Sequence, residues 1–469
     1  MPRRDTATDS VQQGSEGKVE GNSITLTLLG FGMVVTFMYL IMTRRLSPLV
    51  ALIAIPILFA LVGGFGGHGI GEMMLDGIRT LAPTGVMLMF AILYFGVMID
   101  AGLFDPVVRR ILRMVGSDPL KVLVGTALLA SFVSLDGDGS TSYMIVVASM
   151  LPLYQRLGMS TLNLCCVTML ASGVMNLTPW GGPLARAATA LHVDPSDVFV
   201  PLVPAMVAGI AGIVVLACIL GRQERRRLGT LSLGTPPLQA ASDCANEAPV
   251  PAADETEIRR LRRPRMLWVN AVLTVALMAA LLARLLPLSV LFMIAFAIAI
   301  VINYPQVRDQ RERIAAHSGN VIAVVSLILA AGIFTGILSG TGMVKAMSGS
   351  VLAVVPDAMG PYFAVITAAA SLPFTFFISN DAFYYGVLPI LSDAATSYGI
   401  TPVQMARASL MGQPVHLLSP LVPSTYLLVG LAGVEFGDHQ RHTLKWAVLI
   451  CAILMATALA CGVFPLVSR

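Results

Sequence analysis

Two short polar segments interrupt apolar stretches of this chain and carry ionisable side chains. Residues 134–141 read SLDGDGST and include Asp136 and Asp138, and residues 377–381 read FISND and include Asp381. A carboxylate inside a membrane is costly unless it faces a partner or a water-filled cavity. Two carboxylates separated by one glycine either raise each other's affinity for protons or share a cation. The three aspartates are therefore candidates for coupling to protons or to a divalent metal ion.

The polar residues beside these aspartates complete two candidate binding tips. Ser140 and Thr141 follow the first pair of carboxylates, and Ser379 and Asn380 precede Asp381. Glycines in the first segment permit a non-helical turn that leaves backbone groups free to face a ligand. We predict that these four polar residues contact a substrate. The alternative is that each segment is an ordinary polar loop at the membrane surface.

Two further apolar stretches are interrupted by prolines. The first break, residues 176–183, reads NLTPWGGP, and the second, residues 416–425, reads HLLSPLVPST. Because proline removes a helical hydrogen bond and clashes with the preceding turn, paired prolines predict unwound segments. The half-helix after each break would point its positive N-terminus toward the membrane midplane, where it favours an anion. The candidate substrate-binding residues of the two breaks are Asn176, Thr178, Pro179, Gly181, Ser419, Pro420, Ser424 and Thr425.

Two basic side chains lie close to these breaks. Arg186 follows the first break and could clamp a carboxylate in bidentate fashion, pair with an internal acid, or extend to the membrane interface. His416 opens the second break and could relay protons near neutral pH, or simply satisfy a neighbouring carbonyl. We include Arg186 among the substrate-binding candidates and His416 among the coupling candidates. The other histidines are expected in connections between spans.

The composition identifies a polytopic membrane protein. Of its 469 residues, 56% are hydrophobic and only 12% are charged, with a mean hydropathy of +0.81. Soluble domains carry about 25% charged residues. The net charge of +4 is small and the basic residues lie at the ends of apolar stretches, so no nucleic-acid partner is expected. The six cysteines form no CxxC pair, which indicates neither a disulfide framework nor a zinc site.

We predict an all-α fold with ten membrane spans, since one crossing needs about 20 apolar residues. Between the third and fourth span of each half lie two shorter apolar arms separated by a polar tip, which predict a re-entrant hairpin. The arms cover residues 119–135 with 140–154 and 361–377 with 382–396. The predicted spans cover residues 24–42, 47–63, 83–99, 163–190, 199–221, 266–284, 287–304, 320–340, 404–430 and 444–463.

The two halves of the chain align at a nearly constant offset. Gly102 corresponds to Gly342, 240 residues later (342 − 102), and Gly158 corresponds to Gly399, 241 residues later (399 − 158). Five spans per half is an odd number, so the second half must enter the membrane in the opposite orientation. This plan is the inverted repeat of many secondary transporters. Each predicted repeat contains one re-entrant hairpin and one broken helix.

The placement of arginines predicts the topology. Residues 222–265 begin and end with arginine clusters, and a cytoplasmic location for this segment puts most other basic residues on the same side. This satisfies the positive-inside rule for a multi-pass protein of the inner (cytoplasmic) membrane. The linker's arginines could also contact lipid headgroups. We therefore expect a disordered tail over 1–22, a first repeat over 23–221, a cytoplasmic linker over 222–265 and a second repeat over 266–469.

Four segments carry motifs that occur together in one family. They are residues 38–52, 82–87, 134–139 and 176–183, and the LDGDG sequence of the third is the most specific part. In these segments the chain resembles the citrate–Mg²⁺:H⁺/citrate–Ca²⁺:H⁺ symporter (CitMHS) family, and the resemblance covers essentially the whole chain. The family belongs to a superfamily of ion transporters whose divalent-anion:sodium symporters have inverted repeats, paired re-entrant hairpins and a dimeric elevator mechanism.

The resemblance implies proton-coupled uptake of citrate by a homodimer in the lipid bilayer. The expected substrate is citrate chelated to Mg²⁺ or Ca²⁺, with no permanently bound cofactor. Sodium-coupled relatives in the superfamily carry Ser-Asn-Thr at both hairpin tips, whereas Asp138 and Asp381 stand at the tips here. The extra carboxylates favour protons or a metal–citrate complex over sodium. In the expected cycle Asp136 and Asp138 take up a proton or hold the metal, while Arg186 neutralises citrate charge.

Other functions have weaker support in the sequence. Gly137-Asp138 resembles part of the Gly-x-Gly-Asp element of intramembrane aspartyl proteases, but Leu135 replaces the first glycine and no Pro-Ala-Leu motif occurs. We therefore expect no enzyme. A carrier of another anion or a sodium/proton antiporter would share the superfamily plan. A channel is disfavoured, because symmetric discontinuous helices imply alternating access around a midplane site.

Asp138→Asn is expected to abolish citrate uptake while leaving expression and folding close to normal, because the change removes the ionisable group without altering its size. Radiolabelled citrate uptake into proteoliposomes, together with gel filtration of the purified variant, checks this. Full uptake by the well-folded variant would exclude Asp138 from the mechanism.

Overall fold

The computed structural model describes residues 7–43, 45–66, 68–116, 118–137, 139–228, 260–283, 285–354 and 356–468. Within these ranges every regular element is helical, which confirms the predicted all-α fold. Among the described residues, seven helices are long and apolar enough to cross a membrane, and shorter apolar helices of 10–17 residues accompany them. The chain is a multi-pass membrane protein.

The helices are numbered here in chain order. The first half contains α1 (Ala7–Met42), α2 (Pro48–Val62), α3 (His68–Asp100), α4 (Asp105–Val115), α5 (Pro119–Val133), α6 (Gly139–Leu157), α7 (Thr161–Met175), α8 (Gly182–Ala190), α9 (Pro195–Phe199) and α10 (Val203–Leu228). The second half contains α11 (Leu267–Leu282), α12 (Leu288–Asn303), α13 (Val307–Gly340), α14 (Met343–Val354), α15 (Phe363–Phe377), α16 (Leu388–Thr396), α17 (Pro402–Ser409), α18 (Gln413–His416), α19 (Pro423–Ala432) and α20 (Phe436–Ala460). A π-helical turn (Ala382–Val387) precedes α16.

Several helix starts follow directly from the local sequence. Ser47, Asp118, Asp194 and Thr401 each precede a proline, and each side chain accepts a hydrogen bond from a backbone N–H of the helix that begins there. Short oxygen-bearing side chains satisfy the unpaired donors of a first helical turn, and proline is pre-organised for the first helical position. These four positions therefore fix the starts of α2, α5, α9 and α17.

The order of elements is the same in the two halves. Three helices are followed by a short helix, two hairpin arms, a helix interrupted near its middle and a final long helix. The corresponding glycines also share a backbone conformation, with φ of 86° at Gly102 and 75° at Gly342, and 66° at Gly158 and 74° at Gly399. A positive φ strongly favours glycine, so the sequence correspondence has a conformational cause. The opposite membrane orientation of the two halves remains a prediction.

Some boundaries differ from those expected. Helices α3 and α13 begin well before the predicted spans 83–99 and 320–340, because hydropathy marks apolar residues whereas a helix continues through the polar residues that flank them. Helix α1 begins at Ala7, within the segment expected to be a disordered tail; its Glu and Lys residues are good helix formers. The domain boundaries themselves remain predictions. His317, His439 and His442 lie within α13 and α20 rather than in connections.

The helices pack in two groups. In the first group, α3 and α13 lie along each other. Helix α12 packs against α3 and α2 packs against α13, while α11 contacts α12 and α1 contacts α2. In the second, α10 packs against α5, α7 and α20, while α15 packs against α17 and α18. The groups meet mainly through α8, which contacts α13, and through the π-helical turn and α14, which contact α1. The hairpin tips and the helix breaks all belong to the second group or to its boundary.

Glycines allow α3 and α13 to approach each other closely. A Cβ atom on Gly77 would lie 2.0 Å from the carbonyl oxygen of Gly332, and one on Gly336 would lie 2.3 Å from the carbonyl oxygen of Met73. Gly332, Gly336 and Gly340 form a repeated G-x-x-x-G pattern on one face of α13. Small residues at such positions let backbones pack where the hydrophobic effect gives little attraction between helices.

The described end of the predicted linker packs against the helices. Residues 229–259 lie outside the described part of the chain. After them, a guanidinium nitrogen of Arg262 lies 2.9 Å from Asp105, and Arg263 donates from Nε to the carbonyl oxygen of Asn303 at 2.8 Å. Burial raises the pKa of the Asp105 carboxyl despite the opposing charge of Arg262. At least two linker arginines thus have specific protein partners.

Gly336→Ala is expected to lower the melting temperature in detergent by several degrees, because the added methyl group would collide with the backbone of α3. Overpacking of this kind costs about 1–3 kcal/mol. Gly319→Ala on the same helix is the matched control, since a Cβ at Gly319 meets no atom within 4 Å. Equal melting temperatures for the two variants would contradict the close approach.

Candidate functional site

The first hairpin tip is attached to the first helix break. Helix α5 ends at Val133 and is followed by a 3₁₀ turn over Ser134–Asp136. The Ser134 hydroxyl lies 2.7 Å from the hydroxyl of Ser172 on α7, and Trp180 in the break donates from Nε1 to the carbonyl oxygen of Leu135 at 2.8 Å. Two hydrogen bonds therefore hold this tip against the helix that is interrupted beside it.

The end of this turn requires glycine. Gly137 has φ of 76°, and a Cβ there would lie 2.9 Å from Cδ1 of Trp180. Trp180 was part of the break identified in the sequence, but its contact with the tip could not be anticipated from spacing. Asp138 and the side chain of Asp136 lie outside the described residues. The roles of these two carboxylates remain predictions.

The first break is a tight loop between α7 and α8. Gly181 donates its backbone N–H to the carbonyl oxygen of Thr178 at 2.9 Å, and a Cβ at Gly181 would lie 2.3 Å from the carbonyl oxygen of Asn176. Pro179 is buried within the loop. The Thr178 hydroxyl is buried and has no hydrogen-bond partner among the described residues. A buried, unpartnered hydroxyl beside a helix break would gain a partner only if the loop opened toward a bound polar molecule.

The second hairpin tip is a turn stabilised by its own serine. The Ser379 hydroxyl accepts a hydrogen bond from the backbone N–H of Ala382 at 3.1 Å, and Asp381 stands at the start of the π-helical turn. Single π-helical turns are rare and occur frequently at functional sites. Asp381 is 8% exposed, so its carboxylate needs a partner within the protein.

That partner is Arg186. Its Nε lies 2.6 Å from Oδ1 of Asp381, which joins α8 of the first half to the hairpin tip of the second. The side chains keep 23% and 12% of their surface exposed, respectively. Of the alternatives open in the sequence, the geometry favours pairing with an internal acid. A cation at Asp381 would meet the guanidinium charge, which makes Asp381 a poor metal ligand in this arrangement.

The guanidinium of Arg186 also lies close to the N-terminus of its own helix. A Cβ on Gly182, the first residue of α8, would lie 2.6 Å from Nη1 of Arg186. The partial positive charge of the helix N-terminus and the full charge of the guanidinium are therefore close together. Both attract an anion, and the Asp381 carboxylate is the anion that contacts the guanidinium in this structure.

Gln413 is a site residue that the sequence did not reveal. It is fully buried at the start of α18, and its Nε2 donates to the Tyr384 hydroxyl at 2.8 Å and to Oδ1 of Asn380 at 3.5 Å. Its repeat counterpart, 241 residues earlier (413 − 172), is Ser172, which bonds to the first hairpin tip. In each half the same position thus ties the interrupted helix to its hairpin. The constant offset was the signal that could have identified it.

The second break uses most of its polar side chains internally. His416 donates from Nδ1 to the carbonyl oxygen of Thr375 at 2.7 Å. Ser419 accepts from the backbone N–H of Leu421 at 3.2 Å, and the Thr425 hydroxyl donates to a backbone carbonyl eight residues earlier. Pro420 is exposed. The bond to His416 matches the alternative that this histidine satisfies a neighbouring carbonyl.

The remaining candidates lie where the first hairpin meets the second break. Ser140 and Thr141 lie in the first turn of α6, which packs against α19. A Cβ on Gly139 would lie 3.5 Å from the hydroxyl oxygen of Ser424. Each hairpin therefore contacts the half-helix of the other half: α6 meets α19, and the π-helical turn meets α8. Among the described residues, no three His, Cys, Asp or Glu side chains cluster as a metal site.

Residues 37–412 match the profile of the CitMHS family, described as citrate transporter. The chain belongs to the CitMHS family. It is 58% identical over 438 residues to a Bacillus subtilis (strain 168) protein named citrate transporter, covering 93% of this chain and 99% of that one. It is 52% identical over 437 residues to another protein of that strain, named Mg(2+)/citrate complex secondary transporter, with 93% and 98% covered. As a CitMHS member the chain is a transporter and not an enzyme.

Two solved transporter structures share the fold of this CitMHS member. The Alcanivorax borkumensis YdaH transporter has a TM-score of 0.51 at 14% identity and covers 84% of this chain and 88% of its own. Neisseria gonorrhoeae MtrF has a TM-score of 0.54 at 14% identity, with 83% of each chain covered. At this level of identity the likeness concerns the fold alone.

Gln413→Leu is expected to destabilise the protein, because Tyr384 and Asn380 lose a buried hydrogen-bond donor. A buried hydrogen bond contributes about 1 kcal/mol net, and its loss should appear as a lower melting temperature in detergent. Gln155→Leu, at an exposed glutamine of α6, is the control. If both variants melted like the unmodified protein, the hydrogen bonds between α18 and the second hairpin tip would not contribute to stability.

Proposed function

We propose that this protein is a secondary active transporter that takes up citrate as a complex with a divalent cation, by proton symport. The main observation in support of this proposal is the position of Arg186. Its guanidinium lies beside the N-terminus of α8, is partly exposed, and contacts a carboxylate of the opposite half at 2.6 Å. A site that already holds one carboxylate by charge and hydrogen bonding suits a substrate rich in carboxylates.

The charge of the site supports a chelated substrate. Fully ionised citrate carries three negative charges, and a divalent cation reduces this to one, which one guanidinium can balance. The names of two relatives, citrate transporter and Mg(2+)/citrate complex secondary transporter, point in the same direction. Mg²⁺ or Ca²⁺ would travel as part of the substrate rather than as a resident cofactor.

The proposed roles divide the site into two parts. Asp136 and Asp138 would hold the metal of the substrate complex or take up a proton, as hard cations and protons both favour carboxylates. Arg186 and the start of α8 would receive a citrate carboxylate. Thr178, whose buried hydroxyl lacks a partner within the described part of the chain, would contribute once the loop opens. The other proposed polar contacts are Ser140, Thr141, Asn176, Ser379, Asn380, Ser419, Ser424 and Thr425.

An elevator-type movement is consistent with the packing. The hairpins and interrupted helices form one group, which meets the group around α3 and α13 through a limited set of contacts. We propose that the group containing the hairpins and interrupted helices moves and that the group around α3 and α13 stays fixed in the membrane. The outer face of α11 exposes Trp268, Val272 and Val275 at 83%, 65% and 68%. This apolar stripe suits lipid or a second copy of the chain, as in a homodimer of the inner (cytoplasmic) membrane.

Radiolabelled citrate uptake into proteoliposomes tests the function. Uptake should require both an inward proton gradient and Mg²⁺ or Ca²⁺, and excess unlabelled metal–citrate should compete. Uptake driven by sodium instead, or no citrate uptake under any combination, would contradict the proposal and direct attention to another anion.

Arg186→Lys is expected to raise the apparent KM for metal–citrate about tenfold or more, because lysine lacks the planar fork that binds a carboxylate through two N–H groups. Initial uptake rates measured over a range of substrate concentrations check this. Arg109→Lys, at an exposed position of α4, provides the control. An unchanged KM in Arg186→Lys would assign the arginine a purely structural role.

A further inference from the structure

The contact between Arg186 and Asp381 places a carboxylate of the protein where a substrate carboxylate should bind. We propose that Asp381 is an internal competitor: the substrate displaces it from Arg186, and the released side chain takes up one of the cotransported protons. This inference rests on the proposed function, and it adds the identity of a proton-binding group and the reason why its protonation follows substrate binding.

The hydrogen-bond geometry favours displacement. A carboxylate binds a guanidinium best through two parallel N–H groups. Asp381 is held through Nε alone, and within the described part of the chain Arg186 has no further hydrogen bond. An incoming carboxylate can therefore form a two-pronged contact that Asp381 does not make. With 23% and 12% of their side-chain surface exposed, the two residues are only partly enclosed by the protein.

Charge balance then requires a proton. Arg186 and Asp381 together carry no net charge. A divalent metal–citrate complex brings one negative charge, so its arrival would leave Asp381 as an uncompensated carboxylate in a membrane protein. Binding of one proton to a carboxylate oxygen of Asp381 restores neutrality. The proton comes from the aqueous side from which the substrate enters, and the only bond formed is the O–H bond.

Few groups near Arg186 and Asp381 could take up the proton instead of Asp381. Among the described residues, the titratable groups that act on the pair are Tyr384 and Tyr385 on the π-helical turn that follows Asp381, and His416 on α18. Tyrosine hydroxyls are neutral near neutral pH. Of these groups, His416 is the competing proton acceptor, although its Nδ1 already donates to the carbonyl oxygen of Thr375. A test must therefore separate Asp381 from His416.

Calorimetric titration of the purified protein with Mg²⁺–citrate provides that test. Repeating the titration in buffers of different ionisation enthalpy gives the number of protons taken up on binding. Asp381→Asn should bind with one proton fewer than the unmodified protein, and its affinity above neutral pH should rise severalfold because the competitor is gone. Each coupled proton changes affinity by about tenfold per pH unit, so the pH dependence should flatten accordingly.

Two further variants complete the design. Asp393→Asn removes another carboxylate of the second hairpin, one that accepts a hydrogen bond from Ser348 of α14, and its proton count should match the unmodified protein. The inference would be overturned if Asp381→Asn took up as many protons on binding as the unmodified protein. It would also be overturned if folded Asp381→Asn bound Mg²⁺–citrate more weakly, or if His416→Gln lost the proton instead. Absence of Mg²⁺–citrate binding by the unmodified protein would be a failure of the proposed function, visible before any variant is compared.

Discussion

The guanidinium of Arg186 and the carboxylate of Asp381 depend on each other, because either charge alone would be strongly unfavourable inside a membrane protein. Their bond of 2.6 Å spans 195 residues of sequence and joins the two halves of the chain. Arg186 is positioned by α8, which can begin beside the pair only because α7 is interrupted. Asp381 is positioned by the tip of the second hairpin, which connects the two helical arms. The arrangement of the site follows from placing these two charges together.

The interruptions that create the site are themselves stabilised by specific contacts. Trp180 donates to the first hairpin tip, and Gln413 donates to the second. Gly181 permits a loop that no larger residue would fit. Next to these elements, α3 and α13 pack closely against each other through glycines. A transporter needs a binding site that can change its contacts, and a pair of interrupted helices offers this without unfolding a continuous span.

Much of the fold could be predicted because its signals are local. The span predicted over 47–63 is α2 (Pro48–Val62), and the arm predicted over 119–135 contains α5 (Pro119–Val133), since apolar length and Ser-Pro or Asp-Pro starts mark both. The site was only partly predictable. Its residue types were visible as polar groups in apolar stretches, but the partner of Arg186 depends on a long-range contact. A single glutamine such as Gln413 belongs to no recognisable motif, and only its offset from Ser172 in the first half marks it.

The most direct test of the account is an electron cryo-microscopy structure of the protein with Mg²⁺–citrate bound. We expect a citrate carboxylate on the guanidinium of Arg186, next to the start of α8, with Asp381 moved beyond hydrogen-bonding distance, roughly 3.5 Å or more. Citrate bound elsewhere, with Arg186 and Asp381 still in contact at 2.6 Å, would contradict it.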